Sequence, residues 1–198
     1  MTILVLGDST AFGAELGDLP DTHNGFGYYG NDYADLNGNR KTTKPSQSAW
    51  PALLGQQLNV DVDNLSIIGG SNERMYRLAV EQTSKKSYGL VICAWTGMGR
   101  LDLQYNGIDI AVSSQCYFDF DWVKTYTAQH YDLLADTKKW LIHLITLQSY
   151  FKQRRQSYLF VQSQSSFNFH KLMYLSGQID INNCVYWDTD MYVRTKDC

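Results

Sequence analysis

The chain has 198 residues, of which 44% are hydrophobic and 19% are charged, and its formal net charge is −3. This length and composition predict one soluble globular domain over residues 1–198 with a sizeable core. The slightly acidic balance supplies no basic field for nucleic acid, and no apolar run approaches membrane-spanning length. We therefore expect neither a nucleic-acid partner nor a membrane segment.

The amino terminus and the cysteines indicate in which cellular compartment the protein is located. Met1 leads directly into an apolar run, without the basic leader and apolar core of a signal peptide. The cysteines Cys93, Cys116, Cys184 and Cys198 are widely spaced and form no CxxC pair. We expect buried thiols at Cys93 and Cys184, no metal site, no cofactor and a reducing, cytoplasmic location.

The first apolar run, residues 3–6, is followed by Gly7-Asp8-Ser9-Thr10, which predicts a buried strand that ends in a tight turn. If a helix follows, Ser9 lies at its amino terminus, where N–H groups and the helix dipole stabilise an anion or an oxyanion. Such a turn exposes a nucleophilic hydroxyl. The alternative is that Asp8 and Ser9 only cap the helix.

Residues 11–45 are rich in glycine, asparagine, aspartate and aromatic side chains and show no periodicity beyond their first few positions. A long loop beside a nucleophile predicts a substrate wall or lid. A surface insertion packed by its own aromatic side chains is the open alternative. We expect His23, within this loop, to be solvated.

A helix, a strand and a second helix are predicted over the next 40 residues or so. Ser48 is expected to cap the first helix, with Pro51 in its first turn. The alternating pattern of residues 60–68 predicts a strand. Ser71 is expected to cap the second helix, which ends near Lys85.

Gly70 and Asn72 flank this second helix start. Gly70 lets the backbone approach a ligand closely, so we expect an oxyanion contact there in preference to a pure turn role. Asn72 is a candidate side-chain donor for the same site. Its alternative is a role confined to the first turn of the helix.

The continuous apolar run of residues 88–94 predicts a central parallel strand. Its loop, with Thr96 and Gly97, lies at the carboxyl edge of the sheet, where open α/β sheets bind ligands. Arg100 either holds a substrate carboxylate or phosphate or pairs with Asp102, and we expect the pairing.

The second half of the chain also shows patterns typical of alternating strands and helices. Asn106-Gly107 predicts a hairpin turn, and residues 121–155 predict two helices or one long bent helix. Residues 158–162 and 183–187 predict the last two strands. We expect His130 and His143 to pack inside the helices and His170 to lie near the edge of the site.

Four stretches, in order, resemble the SGNH or GDSL hydrolase family: Gly7-Asp8-Ser9, Ser48–Leu54, Asn64–Ser71 and Leu90–Gly97. Residues 70–75 and 95–100 are similar to bacteriophage-encoded members. The resemblance implies an α/β fold, a three-layer flavodoxin-like sandwich with a mostly parallel sheet and loop or hairpin insertions. It also implies a serine esterase acting on acyl or acetyl esters, including acetylated carbohydrates. Ser9 would be the nucleophile, and the N–H groups of Ser9 and Gly70 would hold the oxyanion.

The chain departs from that family's pattern in two places. The third block has Thr96 and Gly97 where the family has an asparagine, and no histidine follows His170. The base histidine and its aspartate therefore have no candidates, and we expect the domain to be incomplete at its carboxyl end. The alternative function is a catalytically impaired structural or binding protein with a protein partner or a homo-oligomeric state, located in a virion if phage-encoded.

Overall fold

The computed structural model describes residues 1–14, 16, 28–29, 32–34, 40–42, 44–105, 108–112, 124–125, 128–129, 132–163 and 172–185. His23, Cys116, His130, His170 and Cys198 lie outside the described residues, so the expectations for them stay predictions. The Asn106-Gly107 turn also lies outside them.

The described residues form strands and helices in alternation. The strands are β1 (Thr2–Leu6), β2 (Tyr28–Tyr29), β3 (Asp32–Ala34), β4 (Arg40–Thr42), β5 (Asp61–Asn64), β6 (Leu90–Trp95), β7 (Leu101–Tyr105), β8 (Ile108–Val112), β9 (Tyr158–Gln162) and β10 (Cys184–Val185). The helices are α1 (Ser9–Phe12), α2 (Trp50–Leu58), α3 (Asn72–Lys85), α4 (Leu133–Arg154) and α5 (Met173–Ser176). A 3-10 turn, Ile181–Asn183, precedes β10.

Five strands form one sheet in the order β10-β9-β6-β1-β5, and every neighbouring pair in it is parallel. Counted in chain order from the β5 edge, these strands run 2-1-3-4-5, which is the flavodoxin-like order. The predicted α/β class with a parallel sheet is therefore confirmed. The carboxyl ends of β1 and β6 lie side by side in it, because Leu6 pairs with Cys93.

The two faces of this sheet bury different helices. Leu4 and Leu6 of β1 point to one face, where they pack in a core with α3 and α4. Ile3 and Val5 point to the other face, where Trp50 and Leu54 of α2 pack against them. Both faces of β1 are buried because helices cover the two sides of the sheet, which explains its continuous apolar run.

Two insertions lie outside the parallel sheet and form small sheets of their own. Residues 11–45, expected to be irregular, contain a three-stranded antiparallel sheet in the order β2-β3-β4. The prediction of an irregular stretch was wrong there, because short paired strands leave no periodicity in a sequence rich in turn residues. The predicted hairpin is confirmed, since β7 and β8 pair antiparallel with Tyr105 opposite Ile108.

The helix ends agree with local capping chemistry in most places. The side chain of Ser71 accepts a hydrogen bond from Arg74 N at 3.1 Å and so caps α3 as expected. The residue that caps α2 is Ala49, whose backbone is extended, and the expected cap at Ser48 was wrong. Asp132 caps α4 by accepting from the N–H groups of the next turn.

The cysteine expectations hold for one residue and fail for another. Cys93 is fully buried, and burial raises the pKa of its thiol well above its ordinary value. Cys184, expected to be buried, is half-buried, because β10 is the edge strand of the sheet. Within the described ranges, we find no helix with the length and hydropathy needed to cross a membrane.

Candidate active site

Ser9 is the first residue of α1 and follows the turn that ends the interior strand β1. Its side chain is half-buried, and its neighbour Asp8 is fully buried. The Asp8 carboxylate caps α1, with Oδ1 accepting from Thr10 N at 3.0 Å and from Thr10 Oγ1 at 2.7 Å. This cap explains why four residues form a helical turn directly after a strand.

The second carboxylate oxygen of Asp8 is bound from the loop that follows the neighbouring strand β6. Thr96 Oγ1 donates to Asp8 Oδ2 at 2.6 Å, and Arg100 Nη1 lies 3.1 Å from the same oxygen. From described residues alone, Asp8 therefore accepts four hydrogen bonds, one of them from a cation, in a site with no exposure to solvent. Because its oxygens are committed in this way, Asp8 fixes the turn and is not available as a base.

Asn72 lies at the start of α3 and turns its amide inward. Its Nδ2 donates to Thr96 O at 3.0 Å, and its Oδ1 accepts from Thr96 N at 2.8 Å. The residue is 7% exposed. The structure thus brings Asn72, Thr96, Asp8 and Arg100 into one hydrogen-bonded group beside Ser9.

Gly70 and Gly97 lie on the loops that border this group. The N–H of Gly70 donates to Ile67 O at 3.1 Å, in a turn. A Cβ on Gly70 would lie 3.0 Å from Gly7 O, so this glycine lets the loop approach the Asp8 turn closely. Gly97 is half-buried in the loop that follows β6.

Arg100 has a different partner from the one expected. It binds Asp8, whereas Asp102 accepts from Arg77 Nη2 of α3 at 2.8 Å. The expected pairing of Arg100 with Asp102 was wrong, because β7 turns Asp102 toward α3. Arg100 and Arg77 together anchor the β7–β8 hairpin to the turn and to α3.

A small cleft adjoins the hydrogen-bonded group between α3, α4 and the loop after β6. Its volume is about 30 Å³, it is open to solvent, and it is lined by Asn72, Glu73, Met98, Arg100, Leu101, Asp136, Lys139, Trp140 and His143. Lys139 Nζ lies 2.9 Å from Glu73 Oε2 at its rim. Burial raises the pKa of the Asp136 carboxyl, while nearby Lys139 opposes that shift.

His143 is the one histidine among the described residues. Its ring stacks on Tyr76 with the centroids 4.6 Å apart and the planes 14° from parallel, as expected for a packing residue. Burial lowers the pKa of its imidazole, and Lys139 lowers it further. His23, His130 and His170 lie outside the described ranges, so the structure assigns no base to Ser9.

The described residues contain no cluster of three or more His, Cys, Asp or Glu that could hold a metal ion. Sequence reasoning missed two members of the site. Thr10 binds Asp8, and a hydroxyl two residues after an aspartate at a helix start is a signal for such a turn. Arg77 binds Asp102 across 25 residues of chain, and no local pattern indicates that contact.

Comparison with solved structures finds fold-level similarity at low sequence identity. A psychrotrophic esterase, EstA from Pseudoalteromonas sp., aligns with a TM-score of 0.47 and 11% identity, over 94% of this chain and 76% of that one. An acetyl xylan esterase, AlAXEase, aligns with a TM-score of 0.45 and 11% identity over the same shares. Among curated proteins the search found no match. Neither alignment bears on a bacteriophage origin, which stays a prediction.

The sequence also matches a family model over most of its length, from residue 30 to residue 192. The chain therefore belongs to that family, which is described as a family of unknown function (DUF6071).

Proposed function

We propose that this protein is a serine ester hydrolase with Ser9 as its nucleophile. The observation that supports the proposal is the position of Ser9, half-buried on a turn that directly follows an interior strand of the parallel sheet. The neighbouring carboxylate of Asp8 holds this turn through four hydrogen bonds. A hydroxyl on a rigid turn loses little freedom on reaching an acyl carbon, which favours nucleophilic attack.

In this mechanism Ser9 Oγ attacks the carbonyl carbon of the ester, and the alcohol leaves as the acyl-enzyme forms. Water then attacks the acyl carbon and releases the acid and free Ser9. A base must take the Ser9 proton and return it to the leaving alcohol. We assign that base to no residue. The N–H of Ser9 is the proposed oxyanion donor, since that of Gly70 is bound to Ile67 O.

We further propose that the substrates carry short acyl groups, with acetyl esters, including those of carbohydrates, as the first to test. The cleft beside Asp8 supports this choice, because Arg100 lines it and also binds Asp8. The space of about 30 Å³ in this cleft admits a methyl-sized group.

The test is the intact mass of the protein before and after treatment with a fluorophosphonate probe, together with hydrolysis of p-nitrophenyl acetate. We expect one adduct on the wild type and none on Ser9→Ala. Ser87→Ala is the matched control, because Ser87 is an exposed serine in the loop before β6. No adduct on the wild type, or an adduct that persists in Ser9→Ala, contradicts the proposal.

A second candidate is a binding protein without catalysis, and one observation favours it. Two groups expected to face an oxyanion are bonded inside the protein: the N–H of Gly70 to Ile67 O, and the amide of Asn72 to Thr96. This candidate predicts no adduct and a stable multimer, or a complex with a protein partner, by light scattering. An adduct on a monomeric wild type excludes it.

A further inference from the structure

We infer that Asn72 and Thr96 are positioning residues that hold Ser9 through Asp8, an inference that rests on the proposed role of Ser9. Neither residue would touch the reacting atoms. Their effect would run through a buried line of hydrogen bonds from α3 to the loop after β6 and then to the turn after β1. Each link in that line is a contact between described side chains or backbone groups.

The first link fixes Thr96 to α3. The amide of Asn72 binds both backbone groups of Thr96, donating to its carbonyl at 3.0 Å and accepting from its N–H at 2.8 Å. This paired contact replaces the strand neighbour that Thr96 lacks once β6 ends at Trp95. Both residues are buried, so water does not compete for these groups.

The second link runs from Thr96 to the turn. Its Oγ1 donates to Asp8 Oδ2 at 2.6 Å, while Asp8 Oδ1 accepts from Thr10 N and Thr10 Oγ1. The Thr96 hydroxyl therefore helps to fix the plane of the Asp8 carboxylate, together with Arg100, whose Nη1 lies 3.1 Å from the same oxygen. That plane orients the first turn of α1. Ser9 lies in this turn between Asp8 and Thr10, the two residues that the carboxylate joins.

This geometry changes the role expected for Asn72. Asn72 lines the cleft, but its Nδ2 donates to Thr96 O and lies 3.9 Å from Met98 Sδ, so the donors of this amide are committed inside the protein. The Asn72 amide therefore holds the loop after β6 in place. It does not donate to an oxyanion, which was the role expected from the sequence. Removing this amide should slow the attack by Ser9.

The experiment follows fluorophosphonate labelling over time in Thr96→Val, Thr96→Ser and Asn72→Ala. We expect the maximal labelling rate of Thr96→Val to fall about tenfold or more, the effect of losing one buried hydrogen bond to the Asp8 carboxylate. Thr96→Ser keeps the hydroxyl and should restore most of the rate. Asn72→Ala should lower the rate in the same way. In Thr96→Val the probe concentration for half-maximal rate should stay unchanged, because Thr96 is not among the described residues that line the cleft.

The matched control is Thr83→Val. Thr83 is a buried threonine of α3 whose hydroxyl donates to Ala79 O at 2.6 Å, away from Ser9. This variant loses that buried hydrogen bond and longer contacts to Val80 O and the Tyr150 hydroxyl, but it should label within about twofold of the wild type. All variants are assayed well below their melting temperatures, so a loss of stability alone does not mimic the effect.

Hydrogen exchange at the Thr10 amide provides a readout that does not need catalysis. We expect faster exchange at Thr10 in Thr96→Val than in Thr83→Val, because the Asp8 carboxylate loses the shorter of the two contacts on its Oδ2. If the wild type is not labelled, the proposed function fails, and the exchange rates alone decide whether Thr96 holds the turn. Equal labelling and equal exchange in Thr96→Val and Thr83→Val overturn the inference.

Discussion

Arg77 of α3 donates to the Asp102 carboxylate of β7 at 2.8 Å, and the Asp102 side chain is 3% exposed. This contact ties the hairpin insertion to the helix that begins beside the site. Arg77→Met should lower the free energy of unfolding by about 1–3 kcal/mol, because a buried carboxylate loses a charged donor. Urea unfolding monitored by tryptophan fluorescence measures the change.

An exposed pair on the same helix provides the comparison. Lys85 Nζ lies 2.6 Å from Glu81 Oε1, but the two side chains are 60% and 43% exposed. Lys85→Met should therefore change the unfolding free energy by no more than about 0.5 kcal/mol. If the two substitutions cost the same, burial of Asp102 does not strengthen its contact with Arg77.

His143 should make stability depend on pH near neutrality. Burial and Lys139 lower the pKa of its imidazole below 6.5, with Glu73 opposing them, so the folded protein holds it neutral. As pH falls below about 6.5, the unfolded chain takes up the proton first. The contribution of His143 is therefore complete above that pH and declines as pH falls toward the folded-state pKa.

The measurement is urea unfolding at about pH 7.5 and about pH 5.5 for the wild type and His143→Phe. Phenylalanine keeps a ring against Tyr76 and does not titrate. The wild type should lose more stability at the lower pH than the variant does. The other histidines are present in both proteins, so the difference between them isolates His143. An identical pH dependence in the two proteins contradicts the prediction.

Local patterns were enough to predict the parallel sheet. β9 occupies the predicted residues 158–162, and β6 begins two residues later than predicted. Both strands were predictable because continuous apolar runs mark strands that helices cover on both faces. The sheet formed by β2, β3 and β4 could not be predicted this way. Its strands have two or three residues each, and their pairing is decided by contacts outside each strand.

Some contacts of the candidate site could also be predicted from local sequence, and others could not. The turn at Asp8 was predictable, because its contact with Thr10 joins residues two positions apart. The partner of Arg100 was not, since Asp8 and Arg100 are 92 positions apart and a nearer carboxylate, Asp102, was available in the sequence. Only the adjacent carboxyl ends of β1 and β6 bring these two residues together.

Gly70→Ala should destabilise the turn beside the site. A Cβ there would lie 3.0 Å from Gly7 O and 3.1 Å from Ile67 Cγ1, so the two loops must separate. We expect a loss of about 1–3 kcal/mol in unfolding free energy and slower labelling of Ser9, since Gly7 begins its turn. Thermal and urea unfolding with probe kinetics measure both effects. A variant with the stability and labelling rate of the wild type contradicts this close approach.

The packing of α4 against the sheet should carry much of the stability of the fold. Leu147 of α4 is 0% exposed in the core with Phe151 and Leu144, whereas Leu58 of α2 is 54% exposed. Leu147→Ala leaves a cavity and should cost about 2–5 kcal/mol, while Leu58→Ala should cost well under about 1 kcal/mol. Urea unfolding of both variants, which delete the same atoms, separates cavity formation from the substitution itself. Similar costs at the two positions would mean that α4 does not pack on the sheet as described.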